Sequence, residues 1–322
     1  LAVCPLLAAV QAGNPLAAGN RLILSDRGIT AFDSESLQSR WHLLQGEQTD
    51  EMVLADGLLL VTSGRGLHVI VPATGRVLWQ RPSEARLFPP AVADAVVYLA
   101  GDDGRLQALQ LHTGRLLWQR QFPGWVYPPA VLGGQLFTGG SDGRLWALSR
   151  ADVSVLWERP LGQEMVYRPL VLQRGDLITT NFKGEIQAFS PQGEVLWQKR
   201  LPAVLLSPME VAGYLIFSGL DDRLYSLASA SGEMRWTASL GGRLAASLVQ
   251  QQQRLLASLD DGRVLEIDIA TGSKRRIYRV NGEPIASPFL TAERVILFVK
   301  SFPVRQTVIL NRQHGNIPPK EI

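Results

Sequence analysis

The sequence predicts an all-β fold, an eight-bladed β-propeller of four-stranded antiparallel blades with about 39 residues per repeat. Three observations lead there: tryptophans that recur at one period, glycine turns that recur with them, and strands that are apolar on both faces. Trp41, Trp79, Trp118, Trp157, Trp197 and Trp236 follow one another at intervals of 38, 39, 39, 40 and 39 residues. A turn glycine stands 13 or 14 residues before each of them, at Gly28, Gly66, Gly104, Gly143 and Gly184, with Asp222 in that place before Trp236. A second turn recurs as Gly75, Gly114, Gly193 and Gly232.

One repeat shows the elements in order. Pro90–Ala93 begins a short strand, Val96–Leu99 a second, Asp102-Asp103-Gly104 a turn and Arg105–Leu109 a third strand. Thr113-Gly114 then turns the chain into a fourth strand ending at Trp118. Asp-Gly and Thr-Gly between short apolar runs are hairpin signals, because glycine enters positive φ without a steric penalty. Third strands such as Leu106–Leu111 and Arg144–Leu148 carry apolar residues on both faces, so each sheet needs a neighbour on either side. Radial stacking of blades supplies both neighbours.

Two degenerate copies complete the count. Asp260-Asp261-Gly262-Arg263 with Thr271-Gly272 is a seventh unit, with Arg276 where tryptophan would fall. Ser287-Pro288-Phe289 through Leu310 and Gly315 is an eighth, also without tryptophan. This assigns residues 13–322 to a single propeller domain and leaves 1–12 as a tail. The eighth unit ends in Asn316-Ile317-Pro318-Pro319, and consecutive prolines cannot donate to a sheet ladder. Part of Leu6–Val10, or chain outside this sequence, is therefore expected to latch its open edge.

Composition narrows the function. The chain has 322 residues, 46% of them hydrophobic, and 32 Lys+Arg against 29 Asp+Glu give a formal charge of +3. No basic cluster forms a nucleic-acid footprint, and no apolar run is long enough for a membrane-spanning helix. The single cysteine, Cys4, excludes an internal disulfide, and His42, His68, His112 and His314 have no metal-ligand spacing. No Gly-x-Ser-x-Gly elbow or His-Glu-x-x-His motif occurs. Leu1–Val10 is an uncharged apolar run, and Val10-Gln11-Ala12 has the small-residue spacing of a signal-peptidase site. It reads as the remnant of a secretory signal. A lipoprotein signal ending at Cys4 and an ordinary strand are the alternatives.

The unit Asp-Gly-Arg-Leu-x-Ala-Leu followed by Thr-Gly-x-x-x-Trp resembles the PQQ-type β-propeller repeat family over residues 14–316. That family has two branches. Quinoprotein dehydrogenases hold pyrroloquinoline quinone and calcium at the propeller centre; the other branch consists of non-enzymatic, eight-bladed outer-membrane protein assembly factors. The vicinal cysteine pair and long inter-blade insertions of the dehydrogenases are absent here. The resemblance therefore implies a non-catalytic, exported scaffold without cofactor or metal, periplasmic, peripheral to the outer membrane and monomeric. Its partner would be a protein such as a β-barrel assembly factor. A PQQ-dependent dehydrogenase and an unrelated exported propeller that binds protein or glycan remain the alternatives.

The recurring tryptophans, once per blade, read as packing between blades rather than as a cofactor stack. A candidate contact surface comes from the connection between blades, nine or ten residues after each tryptophan. That position reads Asp50, Phe88, Tyr127, Tyr167, Leu206, Ala245 and Ala286. Aromatics occupy three consecutive blades, with Trp125 and Leu205 adjoining and Arg86 and Arg168 placing cations beside them. Aromatics and arginine dominate binding hot spots. This arc either receives an extended apolar segment of a partner or plugs the funnel.

Overall fold

A computed structural model describes residues 15–25, 28–49, 52–162, 168–206, 208–284, 287–290, 294–301, 304–311, 315–316 and 320–321. The Leu6–Val10 latch, Cys4 and the signal-like run lie outside the described residues.

The blades number seven, not eight. Seven four-stranded antiparallel sheets follow one another, each with its strands in chain order. Blade 1 spans residues 16–43, blade 2 53–82, blade 3 91–121, blade 4 130–160, blade 5 170–200, blade 6 209–239 and blade 7 249–279. The eighth repeat departs from the pattern and forms a sheet of six strands. Its hairpin, Arg294–Ser301 with Val304–Asn311, keeps register over eight rungs. Short segments flank it: Glu283–Pro284 and Phe289–Leu290 on one edge, Gly315–Asn316 and Lys320–Glu321 on the other. The edge expected to be open is thus paired by residues on either side of the prolines. This segment has neither the Asp-Gly turn nor the tryptophan that fix the length of a blade.

Within a blade the turns fall where the glycines do. In blade 3 the strands are Ala91–Ala93, Val96–Ala100, Arg105–Gln110 and Leu116–Gln121, with Gly104 and Gly114 at φ +76° and +69° in the turns between. The tryptophan does not end the fourth strand, which continues three residues beyond Trp118. Third and fourth strands share one irregularity. In blades 1 and 3 to 7 the register shifts at one rung, where Trp41, Trp118, Trp157, Trp197, Trp236 and Arg276 pair with Ala31, Ala108, Ala147, Ala188, Ser226 and Glu266. The extra residue is the one before the tryptophan, for instance Leu117, Leu156 or Leu196.

The chain divides into two compact units. One runs to Val61 and takes in Ile70–Val77 and the chain from Leu240 onward; the other holds Thr62–Val69 and Leu78–Ser239. In the second unit the period-2 alternation of strands splits each blade between two cores. Leu136, Trp146 and Leu148 of blade 4 pack with Tyr98, Leu106 and Ala108 of blade 3. Phe137, Leu145 and Ala147, on the other face, pack with Leu177 and Phe189 of blade 5. Ile178, Ile186 and Ala188 then meet Leu215, Phe217 and Tyr225 of blade 6. In the first unit the C-terminal sheet is buried on both faces. Val295, Leu297 and Val299 pack on Leu256 and Val264 of blade 7, while Ile296 and Phe298 pack on Leu22, Leu24 and Phe32 of blade 1.

The tryptophans serve this stacking. The indole N–H of Trp41 donates to Pro72 O at 2.9 Å, Trp79 to Leu111 O at 2.7 Å, Trp157 to Pro191 O at 2.9 Å and Trp197 to Ser229 O at 3.2 Å. Each acceptor lies in the turn before the fourth strand of the next blade, and the indole lies against that turn's glycine. A Cβ on Gly75, Gly114, Gly193 or Gly232 would come within 2.8, 2.8, 2.8 or 2.4 Å of the ring. Blade 7 solves the same rung differently. Glu266, 4% exposed, replaces the small residue and accepts from the Tyr278 hydroxyl at 2.9 Å and from Arg254 Nη1 at 2.8 Å. Arg276 replaces tryptophan and lies over the Tyr278 ring, 5.7 Å from its centroid.

Two outcomes are expected. Gly232→Ala should lower stability by about 2–3 kcal/mol, because the methyl meets the Trp197 indole in a backbone that already disfavours alanine. Gly213→Ala, at φ +79° with nothing within 4 Å, should cost about 1 kcal/mol. Denaturant melts of the two variants measure the difference. In blade 7, Glu266→Ala should cost about 2 kcal/mol by leaving the buried Tyr278 hydroxyl short of its acceptor. Adding Arg276→Trp should recover much of that loss, because it restores the rung used by other blades.

Candidate functional site

The predicted arc lies in the second unit, on the connections entering blades 3 to 6. The connections entering blades 3, 4 and 6 pair with the end of the following blade's second strand. Phe88 N donates to Ala100 O at 2.9 Å, Tyr127 N to Gly139 O at 3.0 Å and Leu206 N to Ser218 O at 2.9 Å. These residues therefore occupy equivalent positions, as the repeat register implies. Side-chain bonds fix the neighbours: Arg86 N donates to Asp102 Oδ1 at 3.1 Å and Trp125 N to Ser141 Oγ at 2.9 Å.

Phe88 and Tyr127 meet with ring centroids 4.9 Å apart and planes tilted by 37°. Tyr127 is buried, at 6% exposure, whereas Phe88 and Trp125 are half-buried and Arg86 and Arg168 are exposed. Leu205 is fully buried among the side chains of blades 5 and 6, and Leu206 is half-buried. Tyr167 lies outside the described residues, as do Asp50 and Ala286. The structure thus brings Phe88 and Tyr127 together, leaves Phe88, Trp125 and Arg86 accessible beside them, and places Leu205 beneath the surface.

Burial pushes the Tyr127 phenol up to about 12, with Arg86 pulling weakly the other way.

A second feature of this unit escaped the sequence reading. Thr179, Thr180, Asn181, Glu185 and Gln187 of blade 5 and Leu161 on the connection before it line a small recess open to solvent. The signal lay in the turn. Blades 3, 4, 6 and 7 enter the third strand through Asp103-Gly104-Arg105, Asp142-Gly143-Arg144, Asp221-Asp222-Arg223 and Asp261-Gly262-Arg263, whereas blade 5 uses Lys183-Gly184-Glu185. The charges are exchanged. Asp and Arg pair with each other in blades 3, 4 and 7, at 3.0, 3.7 and 2.6 Å. Glu185 instead accepts from Asn181 Nδ2 at 2.7 Å. Among the described residues it makes no ion pair. No group of His, Cys, Asp and Glu that could hold a metal ion occurs among the described residues.

Seven blades built on one repeat, six of them anchored by a tryptophan, define a PQQ-type repeat propeller, and comparison with known proteins agrees. A family model described as "Outer membrane protein assembly factor BamB" matches residues 6–87, 47–166, 83–203 and 182–317. The chain belongs to that family. A curated BamB from Nitrosomonas eutropha is 28% identical over 105 residues, which is 31% of this chain and 26% of that relative. The crystal structure of BamB from Moraxella catarrhalis superposes with a TM-score of 0.72 at 17% identity, covering 90% of this chain and 93% of that one. The computationally designed protein Ika8 gives 0.76 at 15% identity, over 91% of this chain and 94% of that one. Saccharomyces cerevisiae Sqt1 gives 0.71 at 12% identity, over 98% and 96%. These three likenesses are of fold.

The Tyr127 environment sets a pH dependence. Because its phenol titrates near 12 when folded and near 10 when unfolded, the unfolded state loses this proton first as pH rises. The stability it contributes is whole below pH 10 and falls away between 10 and 12. Tyr127→Phe should flatten that alkaline decline, measured by denaturant unfolding at pH 9 to 11.5.

Proposed function

We propose that this chain is a non-catalytic scaffold of outer-membrane β-barrel protein assembly, acting in the periplasm, peripheral to the membrane and without a cofactor. The observation that carries this reading is the family match, which extends through the repeats and their connections from residue 6 to residue 317. As a monomeric propeller the chain holds a protein partner, either an assembly factor or an unfolded barrel strand. Its contact surface is the arc of Arg86, Phe88, Trp125, Tyr127, Tyr167, Arg168 and Leu206, with Leu205 supporting it from below. Phe88 and Trp125 supply accessible apolar area, and Arg86 supplies the cation at their edge. Such a surface suits an extended apolar segment, with the buried Tyr127 ring keeping Phe88 in place.

Affinity capture from detergent-solubilised outer membranes tests this. The tagged chain should retain a β-barrel assembly protein, and Phe88→Ala with Trp125→Ala should weaken that capture by at least about tenfold, since two hot-spot aromatics are removed. Thermal stability should change little. Retention of no barrel-assembly component would refute the scaffold role. Quinone absorbance and alcohol oxidation after mixing with pyrroloquinoline quinone and calcium would refute the cofactor-free reading.

A further inference from the structure

The two connections that carry the described part of the arc are extended. Arg86 O accepts from Asp102 N at 3.0 Å and Phe88 N donates to Ala100 O at 2.9 Å. The same pair of bonds joins Trp125 O to Ser141 N at 3.0 Å and Tyr127 N to Gly139 O at 3.0 Å. Alternate residues of an extended chain share a face, so Arg86 stands on the side of Phe88 and Trp125 on the side of Tyr127. The Phe88 and Tyr127 rings, in contact at 4.9 Å, join the two pairs into one surface. Arg86 belongs to it too, since its charge acts on the Tyr127 phenol. Phe88-Pro89-Pro90 and Tyr127-Pro128-Pro129 end the connections, and a proline keeps the residue before it extended. The rings are therefore fixed before a partner arrives.

The backbone amides of this surface are engaged, whereas its side-chain donors face outward. Arg86 N donates to Asp102 Oδ1 at 3.1 Å, Trp125 N to Ser141 Oγ at 2.9 Å and Val126 N to Gly101 O at 3.3 Å. Phe88 N and Tyr127 N are engaged as well, and the two prolines after each have no N–H. A strand added here would meet no run of free N–H groups with which to form a ladder. The donors that remain are on side chains. The Trp125 indole N–H makes no hydrogen bond among the described residues, in contrast to the indoles of Trp41, Trp79, Trp157 and Trp197. Trp125 is half-buried and Arg86 exposed. Rings with side-chain donors beside them suit a chain whose carbonyls are open and whose N–H groups need no acceptor. An α-helix bonds its own carbonyls, and a strand needs a ladder. A polyproline II segment has open carbonyls, prolines without N–H and apolar rings that rest on aromatic faces.

We propose that the arc takes a proline-rich segment of its partner in the polyproline II conformation. Phe88 and Trp125 are the faces on which the segment rests, the Trp125 indole and Arg86 donate to its carbonyls, and Tyr127 backs Phe88. This rests on the arc being the contact surface of the scaffold, and it narrows the partner segment to one recognised by side chains instead of strand pairing.

Titration of the full chain with a peptide of three Pro-Pro-Leu repeats, followed by indole and backbone N–H resonances, tests it. The indole resonance of Trp125, identified by its absence in Trp125→Phe, should move together with the amides of Phe88 and Tyr127. A peptide of the same length built from Thr and Val, which favours strands, should bind at least about tenfold more weakly. Trp125→Phe keeps a ring but removes the donor, and it should weaken the proline peptide about fivefold, the worth of one neutral hydrogen bond. Equal binding of the two peptides, a Trp125 indole resonance that stays in place, or undiminished binding by Trp125→Phe would overturn the proposal. The scaffold role is tested separately. A chain that captures a barrel-assembly protein yet ignores the proline peptide keeps that role and loses this mode of contact. One that binds the peptide but captures nothing does the reverse.

Discussion

The contact on which the architecture rests is the indole of one blade seated on the turn glycine of the next. It combines three requirements that must be met at once. The indole N–H needs a carbonyl, which the turn supplies at 2.7 to 3.2 Å in four blades. In four blades the ring face lies against a turn glycine at positive φ, whereas the turn of blade 4 holds Val153 there at φ +58°. Across the rung the indole meets a small partner, alanine or serine, in blades 1 and 3 to 6. A change at any one position propagates to the others. Blade 7 illustrates this, since losing tryptophan there accompanies a buried Glu266 and a stacked Arg276.

The same contact explains how far the fold could be read from the sequence. Trp41 through Trp236, with Gly75, Gly114, Gly193 and Gly232, place the turns of blades 1 to 6 because each is a local requirement. The rung register was less accessible. Nothing in Leu116-Leu117-Trp118 announces that Leu117 is the inserted residue, since that depends on which residue of the neighbouring strand it skips. Counting an eighth blade failed for a related reason. The C-terminal repeat was recognised by length and hydrophobicity alone, and without the tryptophan and the Asp-Gly turn its inner hairpin extends to eight rungs.

The site was readable in position more than in exposure. Repeat register correctly aligned Phe88, Tyr127 and Leu206, because hydrogen bonds to equivalent carbonyls hold all three. Whether a side chain at such a position faces solvent depends on the neighbouring blade, so the sequence could not separate exposed Arg86 from buried Leu205. The recess in blade 5 shows the same division. Lys183-Gly184-Glu185 is plainly visible as an exchange of charge, yet that it borders a recess lined by Thr180 and Gln187 is visible only in the structure.

The register shift beside each tryptophan has a consequence for how these molecules behave at high concentration. Among the described residues every blade ends in an outer strand with no partner on its far side, and such a row of amides and carbonyls invites pairing with another chain. Several of these strands are apolar as well, with Leu117, Leu156 and Leu196 exposed by 41, 47 and 46%. An inserted residue bends the strand and breaks the even spacing that a docking strand would have to match. In blades 1, 6 and 7 the inserted residue is Arg40, Arg235 or Arg275, which adds charge to the irregularity. The geometry that seats an indole against the next blade therefore also makes the rim a poor template for aggregation.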